Sequence, residues 1–175
     1  IAHDPSPILY VMPTLEMARA LSKDRISPMI RDNPILHGIF GDPKSKDGDN
    51  SILHKKFSGG HLTICGANSS SSLSSRPVRI VLLDEVSRFP ASAGAEGDPV
   101  NLAIKRSQTF WNAKTIMVST PTIKGACRID NAFENSDKRF YKVPCPDCKE
   151  YQVLDWKQVR WDKDNPDSAQ YTCLH

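Results

Sequence analysis

The chain has 175 residues, enough for one substantial core and a small appendage, and 39% of them are hydrophobic against 25% charged. That balance marks an ordinary globular protein and excludes disordered or fibrous classes. A net charge of +3, from 23 basic and 20 acidic residues, is too mild to argue for nucleic-acid binding by itself. No apolar run approaches the eighteen or so residues of a membrane helix. The start IAHDPSPILYVMP lacks the basic region of a signal peptide, and with no Met at position 1 the chain reads as a fragment.

Ile8 to Met12 (ILYVM) predicts a strand that Pro13 stops. Thr14 then caps a helix carried by Leu15, Ala18, Leu21, Ile26 and Ile30 to about Arg31, disturbed near Pro28. Residues 40–51, FGDPKSKDGDNS, form a polar loop without a core pattern. Ile52 to Phe57 and His61 to Cys65 predict two strands joined at Ser58-Gly59-Gly60, a hairpin signal. GANSSSSLSSRP, residues 66–77, reads either as a low-complexity linker or as an ordered loop with a short helix.

The stretch RIVLLDEVSRFP, residues 79–90, follows. Its four apolar residues, Ile80 to Leu83, suit a strand covered on both faces and run straight into Asp84 and Glu85. Asp98-Pro99 supplies a cap and first turn for a helix running to about Trp111. Ile116 to Val118 is a further strand, ended by STPT. Strands alternating with helices predict an α/β fold with a mainly parallel sheet and flanking helices. From Phe140 onward short strands, a CxxC and two tryptophans signal a second, smaller module. The resulting division is 1–139 for the core and 140–175 for a truncated zinc-binding element.

Three features carry chemistry. The first is the acid-tipped strand, a Walker B pattern in which Asp84 holds Mg2+ and Glu85 activates a water; the plainer alternative is two solvated acids at a strand end. The second is IMVSTPT, where Ser119 and Thr120 are placed to sense a γ-phosphate, although Ser-Thr-Pro is also a common turn. The third is Cys145-Pro-Asp-Cys148 with Cys173 and His175, half of a zinc site whose fourth ligand is expected just past residue 175. Five cysteines, an odd count including one CxxC, favour a reducing, cytosolic compartment; Cys65 reads as a buried hydrophobe and Cys127 as a free thiol.

GGHLTICGANSSSSLSSRPVRIVLLDEVSRFP, SAGAEGDPVNLAIKRSQTFWNAKTIMVSTPTIKG and YKVPCPDCKEYQ occur in one order, and together they closely resemble the lambda-type large terminase subunit of tailed phages. The resemblance covers nearly the whole chain. It implies the ATPase domain of a DNA-packaging motor, with an additional-strand P-loop NTPase core, ATP and Mg2+ as cofactors, and Zn2+ in the longer protein. It also implies double-stranded DNA, a terminase small subunit and the portal of the procapsid as partners. A homo-oligomer assembled in the host bacterial cytoplasm, without membrane contact, completes the expectation. Matched to the family, Asp84 and Glu85 are the Walker B pair, and Ser119, Thr120 and Pro121 the coupling motif. Arg76 takes the place of an arginine acting on a neighbouring subunit's nucleotide; Arg106 is the other candidate, with a surface ion pair as its plainer role. In the family a separate C-terminal nuclease domain cuts the DNA. No GxxxxGK[ST] loop occurs in the sequence, so the P-loop is expected upstream of Ile1 and the fragment alone is expected to be inactive. Two other readings stand beside this one. They are a helicase-like DNA-dependent ATPase and a zinc-ribbon binding module on an inert α/β scaffold.

Overall fold

The computed structural model describes residues 1, 3–40 and 50–174; most of the polar loop expected at 40–51, and His175, lie outside them. The chain divides into two compact units, Ile1–Ala132 and Phe133–His175. The first unit opens with β1 (Ile8–Met12), α1 (Leu15–Leu21), a π-helical turn at Ser22–Ile26, α2 (Ser27–Asp32) and α3 (Pro34–His37). Then come β2 (His54–Phe57), β3 (Gly60–Gly66), α4 (Ser70–Ser74), β4 (Ile80–Asp84), α5 (Pro99–Lys105), β5 (Lys114–Val118) and α6 (Arg128–Glu134).

Five strands form one sheet in the order β2-β3-β1-β4-β5, with β2 antiparallel to β3 and every other pairing parallel. Ile8 stands opposite both Leu62 and Ile80, which fixes the register of the three central strands. Side-chain alternation splits the core in two. Leu9, Val11, Val81 and Leu83 face a cluster with Leu73 and Ala103, under α4 and α5. Ile8, Met12, Leu62 and Ile64 face the opposite cluster with Ala18, under α1, and Ile80 and Leu82 pack against its edge. Helices therefore flank both faces, as the sequence predicts.

The local signals act where chemistry needs them. Thr14 Oγ1 accepts from the Met17 amide at 3.2 Å, and the Asp98 carboxylate accepts from the Val100 amide at 2.9 Å with Pro99 at the first turn of α5. Gly59, with φ of 82°, makes the β2–β3 turn. The serine run resolves into α4 rather than a linker, because Leu73 is buried in the core and pins it. Two helix expectations change. The first long helix is interrupted at Ser22–Ile26, ahead of Pro28, which instead occupies the first turn of α2 where its missing N–H is harmless; buried Ser22 donates its hydroxyl to the Ile52 carbonyl there. The helix expected to reach Trp111 stops at Lys105. Ser107 Oγ bonds the Ile104 carbonyl at 2.8 Å and the chain turns so that the Lys114 amide can pair with the Arg79 carbonyl, leaving Trp111 exposed.

The second unit, Phe133–His175, is built from two hairpins, β6 (Val143–Pro144) with β7 (Tyr151–Gln152), and β8 (Val159–Asp162) with β9 (Asn165–Tyr171). Among its described residues only Cys145 and Gln152 are buried, while Tyr141, Trp156 and Trp161 are exposed. A unit with so little apolar burial needs another source of stability.

At the opposite end of the first sheet from Asp84, the His61 ring lies 5.2 Å from that of His54, and its Nε2 is buried without a partner. Burial first, then the charges of His54 and Arg76, hold the His61 imidazole below its ordinary value of 6.5. A lowered histidine binds its proton less readily folded than unfolded, so its contribution is complete above about pH 6.5 and is lost as pH falls through the lowered value. Stability of the intact protein should therefore drop with acidification just below neutrality. His61→Gln should flatten that decline in chemical denaturation series run between pH 5 and 7.5, and an unchanged slope would remove His61 as its source.

Candidate functional site

The sheet turns back on itself at β1. The chain leaves β1 towards β3 on one side and returns to β4 on the other, so the strand ends diverge between β1 and β4. Such a switch point, at the carboxyl ends of parallel strands, is where α/β proteins open a crevice for ligands. Asp84 is the last residue of β4 and sits there, half-buried.

Register places its carboxylate. Tyr10 stands opposite Leu82 in the parallel β1–β4 pair, and Asp84 lies two residues further along β4, on the same face. The Tyr10 hydroxyl donates to Asp84 Oδ2 at 2.8 Å. Burial, and then the bonded carboxylate, push the Tyr10 phenol well above its ordinary value of 10. On β5, Ile116 and Val118 are the register partners of Leu82 and Asp84, and they are 41% and 56% exposed. These side chains line a shallow depression of about 260 Å³ with Tyr10 and Asp84 at its rim. It is an apolar sheet face left uncovered beside a carboxylate.

Glu85 leaves the strand in a left-handed conformation, φ 56° and ψ 42°. For a residue with a side chain this is uncommon and costs of order 1 kcal/mol or more, so it is found where a site demands it. Strict alternation would send Glu85 to the face opposite Asp84; the left-handed turn breaks that alternation. Its Oε2 is buried without a hydrogen-bond partner, with Arg88 Nε at 3.6 Å as the nearest cation. Glu85 is not among the residues lining the depression that Asp84 rims.

The loop after Glu85 is tied to the loop after β5. Ser119 Oγ accepts from the Ser87 amide at 3.2 Å and bonds the Thr120 carbonyl at 3.2 Å, while Thr120 itself is exposed. Ser87 also lines a cavity of about 390 Å³ with Phe89, Thr122, Cys127 and Arg128. Burial raises the Cys127 thiol, but hydrogen bonds from the backbone at Thr122, Asp130 and Ile123 and from Ser87 outweigh it, and the thiol lies below its ordinary value. Cys65, by contrast, is pushed up to about 12 by burial. Arg128, at the start of α6, donates to the carbonyls of Phe89 at 2.8 Å and Pro90 at 2.9 Å, and approaches Asp98 at 3.6 Å.

Asp84, Glu85 and Ser119 thus gather at one sheet edge, with Thr120 beside them. Arg76 does not join them. It is exposed at the entry to β4, near His61, and the strand between it and Asp84 alone rises about 13 Å. Arg106 donates to the Ser74 carbonyl at 3.2 Å and accepts, through its own carbonyl, from Val78, so it fastens α4 to α5 rather than pairing with a surface acid. In the second unit the sulfurs of Cys145, Cys148 and Cys173 lie within 4.8 Å of one another, with Cys148 and Cys173 at 3.7 Å. The amides of Cys148 and Asp147 hold the Cys145 thiol below its ordinary value.

Sequence reading missed Tyr10, Ser87 and Arg128. Tyr10 was legible in principle, as the one hydroxyl in an apolar strand. Arg128 was not, since both its main partners are backbone carbonyls about forty residues away in the chain.

Arg128→Ala should leave the Phe89 and Pro90 carbonyls without their charged donor. It should cost about 1–3 kcal/mol in denaturant unfolding and speed amide exchange in residues 86–90. Wild-type exchange rates there would show that the clamp does not hold the loop.

The model of the phage terminase large subunit gpA ATPase domain matches residues 1–175. The terminase large subunit of Enterobacteria phage P21 is 34% identical over 184 residues, covering 100% of this chain and 28% of that protein. The terminase large subunit of Escherichia phage lambda is 31% identical over the same extent, with the same coverage. The solved large terminase ATPase domain of Thermus phage P74-26 aligns at 17% identity and a TM-score of 0.45, over 70% of this chain and 50% of that one. The chain spans a little over a quarter of the length of the two curated relatives. With every residue inside the match, the chain belongs to the phage terminase large subunit gpA family, within its ATPase domain.

Proposed function

We propose that this chain is part of the ATP-hydrolysing motor of a terminase large subunit, coupling hydrolysis to packaging of viral double-stranded DNA. The observation that carries the reading is the edge of the sheet: Asp84 at the switch point, Glu85 turned left-handed beside it, and Ser119 bonded into the same loop from β5. Asp84 fits a hard divalent cation, because its carboxylate faces an open rim and carboxylate oxygens suit Mg2+. Bound there, Mg2+ would offset the charge of the phosphates. Glu85, whose Oε2 has no hydrogen-bond donor, is the group to take the proton of an attacking water. Ser119 links the strand end after β5 to the loop after Glu85, so a shift in either loop is felt by the other. Thr120, exposed next to it, offers its hydroxyl to a phosphate.

The remaining phosphate donors lie elsewhere in the longer protein. No GxxxxGK[ST] occurs in the sequence, and the uncovered face of Tyr10, Leu82, Ile116 and Val118 is the place for a phosphate-binding element to pack. Residues 1–175 alone are then inactive. Arg76, exposed and remote from Asp84 of its own chain, suits a role on a neighbouring subunit's nucleotide in a homo-oligomer. Double-stranded DNA, the small subunit and the portal are the partners of this reading, in the cytoplasm of the host. No helix of the described residues is long and apolar enough to cross a membrane.

The cysteine cluster belongs to a zinc-ribbon-like element. Tetrahedral zinc with bonds of about 2.3 Å sets sulfurs roughly 3.8 Å apart, close to the 3.7 Å between Cys148 and Cys173. A unit whose buried side chains, among the described residues, are Cys145 and Gln152 gains its stability from such a site.

In the intact protein Glu85→Gln should keep nucleotide binding and lose about 10²–10⁴-fold in turnover, the scale of a general base. Asp84→Asn should weaken magnesium-dependent binding as well. Wild-type hydrolysis by Glu85→Gln would move the base elsewhere. Elemental analysis should find zinc in the intact protein and less after Cys145→Ser; a zinc-free protein would end the metal reading.

A further inference from the structure

We propose that Tyr10 is a positioning residue for the cation site, holding the Asp84 carboxylate in the orientation that receives the metal. The inference rests on the reading of Asp84 as the Mg2+ partner.

Tyr10 is the third residue of β1, and its flanking positions on the same face, Ile8 and Met12, are buried and apolar. Register fixes where its ring goes. With Tyr10 opposite Leu82, the diagonal neighbour on β4 is Asp84, at a spacing a phenol ring spans. The bond at 2.8 Å occupies one lone pair of Oδ2. Among the described residues the phenol is the one side-chain donor to this carboxylate, and the other walls of the depression are Leu82, Leu83, Ile116 and Val118. Aliphatic walls cannot orient a carboxylate; a single strong donor can. A carboxylate free to rotate at the rim would lose orientational entropy on binding a cation, whereas one already held at Oδ2 presents Oδ1 with that cost met. A Phe at position 10 would fill the same space and pack equally well, so the hydroxyl is the part with this task.

The test compares Tyr10→Phe, Asp84→Asn and Ile8→Val in the intact protein, by titration of a fluorescent ATP analogue with Mg2+ and with EDTA. Thermal unfolding of each variant accompanies the titrations. Tyr10→Phe should lose about 10–100-fold of magnesium-dependent affinity while the affinity in EDTA stays within about twofold. Ile8→Val, which loosens the packing beside Tyr10 on the same face of β1 and keeps the hydroxyl, should leave the magnesium-to-EDTA ratio unchanged. Asp84→Asn should abolish the magnesium dependence. If Asp84→Asn abolishes it and Tyr10→Phe keeps the wild-type ratio, Tyr10 is structural only and the proposal falls alone. A ratio reduced as much in Ile8→Val as in Tyr10→Phe would likewise overturn it, by showing a packing effect. Magnesium dependence retained in Asp84→Asn would overturn the reading of Asp84 and the proposal together.

Discussion

The parallel pairing of β1 with β4, Ile8 opposite Ile80 and Val11 opposite Leu83, is the constraint from which the rest of the site follows. It inserts β1 between β3 and β4, creating the reversal in strand order that opens the crevice. It also sets which residues share a face. A slip of one residue would turn Tyr10 away from Asp84 and exchange Val81 and Leu83, buried in one core cluster, for Ile80 and Leu82. The full burial of Val11 and Val81 makes such a slip costly. Register is thus held by the same hydrophobic burial that stabilises the domain, and the polar site inherits its geometry from the apolar core.

Much of the fold was legible because its signals are local. Continuous apolar runs marked the strands, Thr14 and Asp98 marked helix starts, and Ser58-Gly59-Gly60 marked the hairpin. What was not legible depended on contacts distant in sequence. The helix after Asp98 ends at Lys105 because the chain must return to pair Lys114 with Arg79, and no residue between them declares that distance. The serine run becomes α4 because Leu73 finds a core built from β1, β3 and β4. At the site, the pair Asp84-Glu85 and the triplet Ser119-Thr120-Pro121 stood out as residue types, but the ties between them did not. The bond from the Ser87 amide to Ser119 and the Arg128 clamp on backbone carbonyls leave no pattern in a single sequence.

Glu85 leaves the end of β4 through an uncommon backbone conformation. Adjacent strand residues point to opposite faces, so two neighbouring acids cannot serve one site without a break in the backbone. The left-handed conformation at Glu85 breaks the alternation after Asp84, and Val86, buried directly after it, anchors the chain on the far side. The loop is then held from β5 and α6 as well. Family membership, which covers the whole chain, favours the terminase reading over the helicase-like one. In the second unit the sulfurs of Cys145, Cys148 and Cys173 converge, while Tyr141, Trp156 and Trp161 stay exposed.

On the proposed reading, the carboxyl edge of β4 holds the metal of the nucleotide complex. Iron-directed cleavage tests it most directly, because Fe2+ bound in place of Mg2+ generates radicals that cut the backbone nearby. Run on the intact protein with ascorbate and peroxide, with and without ATP analogue, the reaction should give nucleotide-dependent cuts around residues 83–87 and 118–121. Nucleotide-dependent cuts confined to other segments, with none around Asp84, would contradict it.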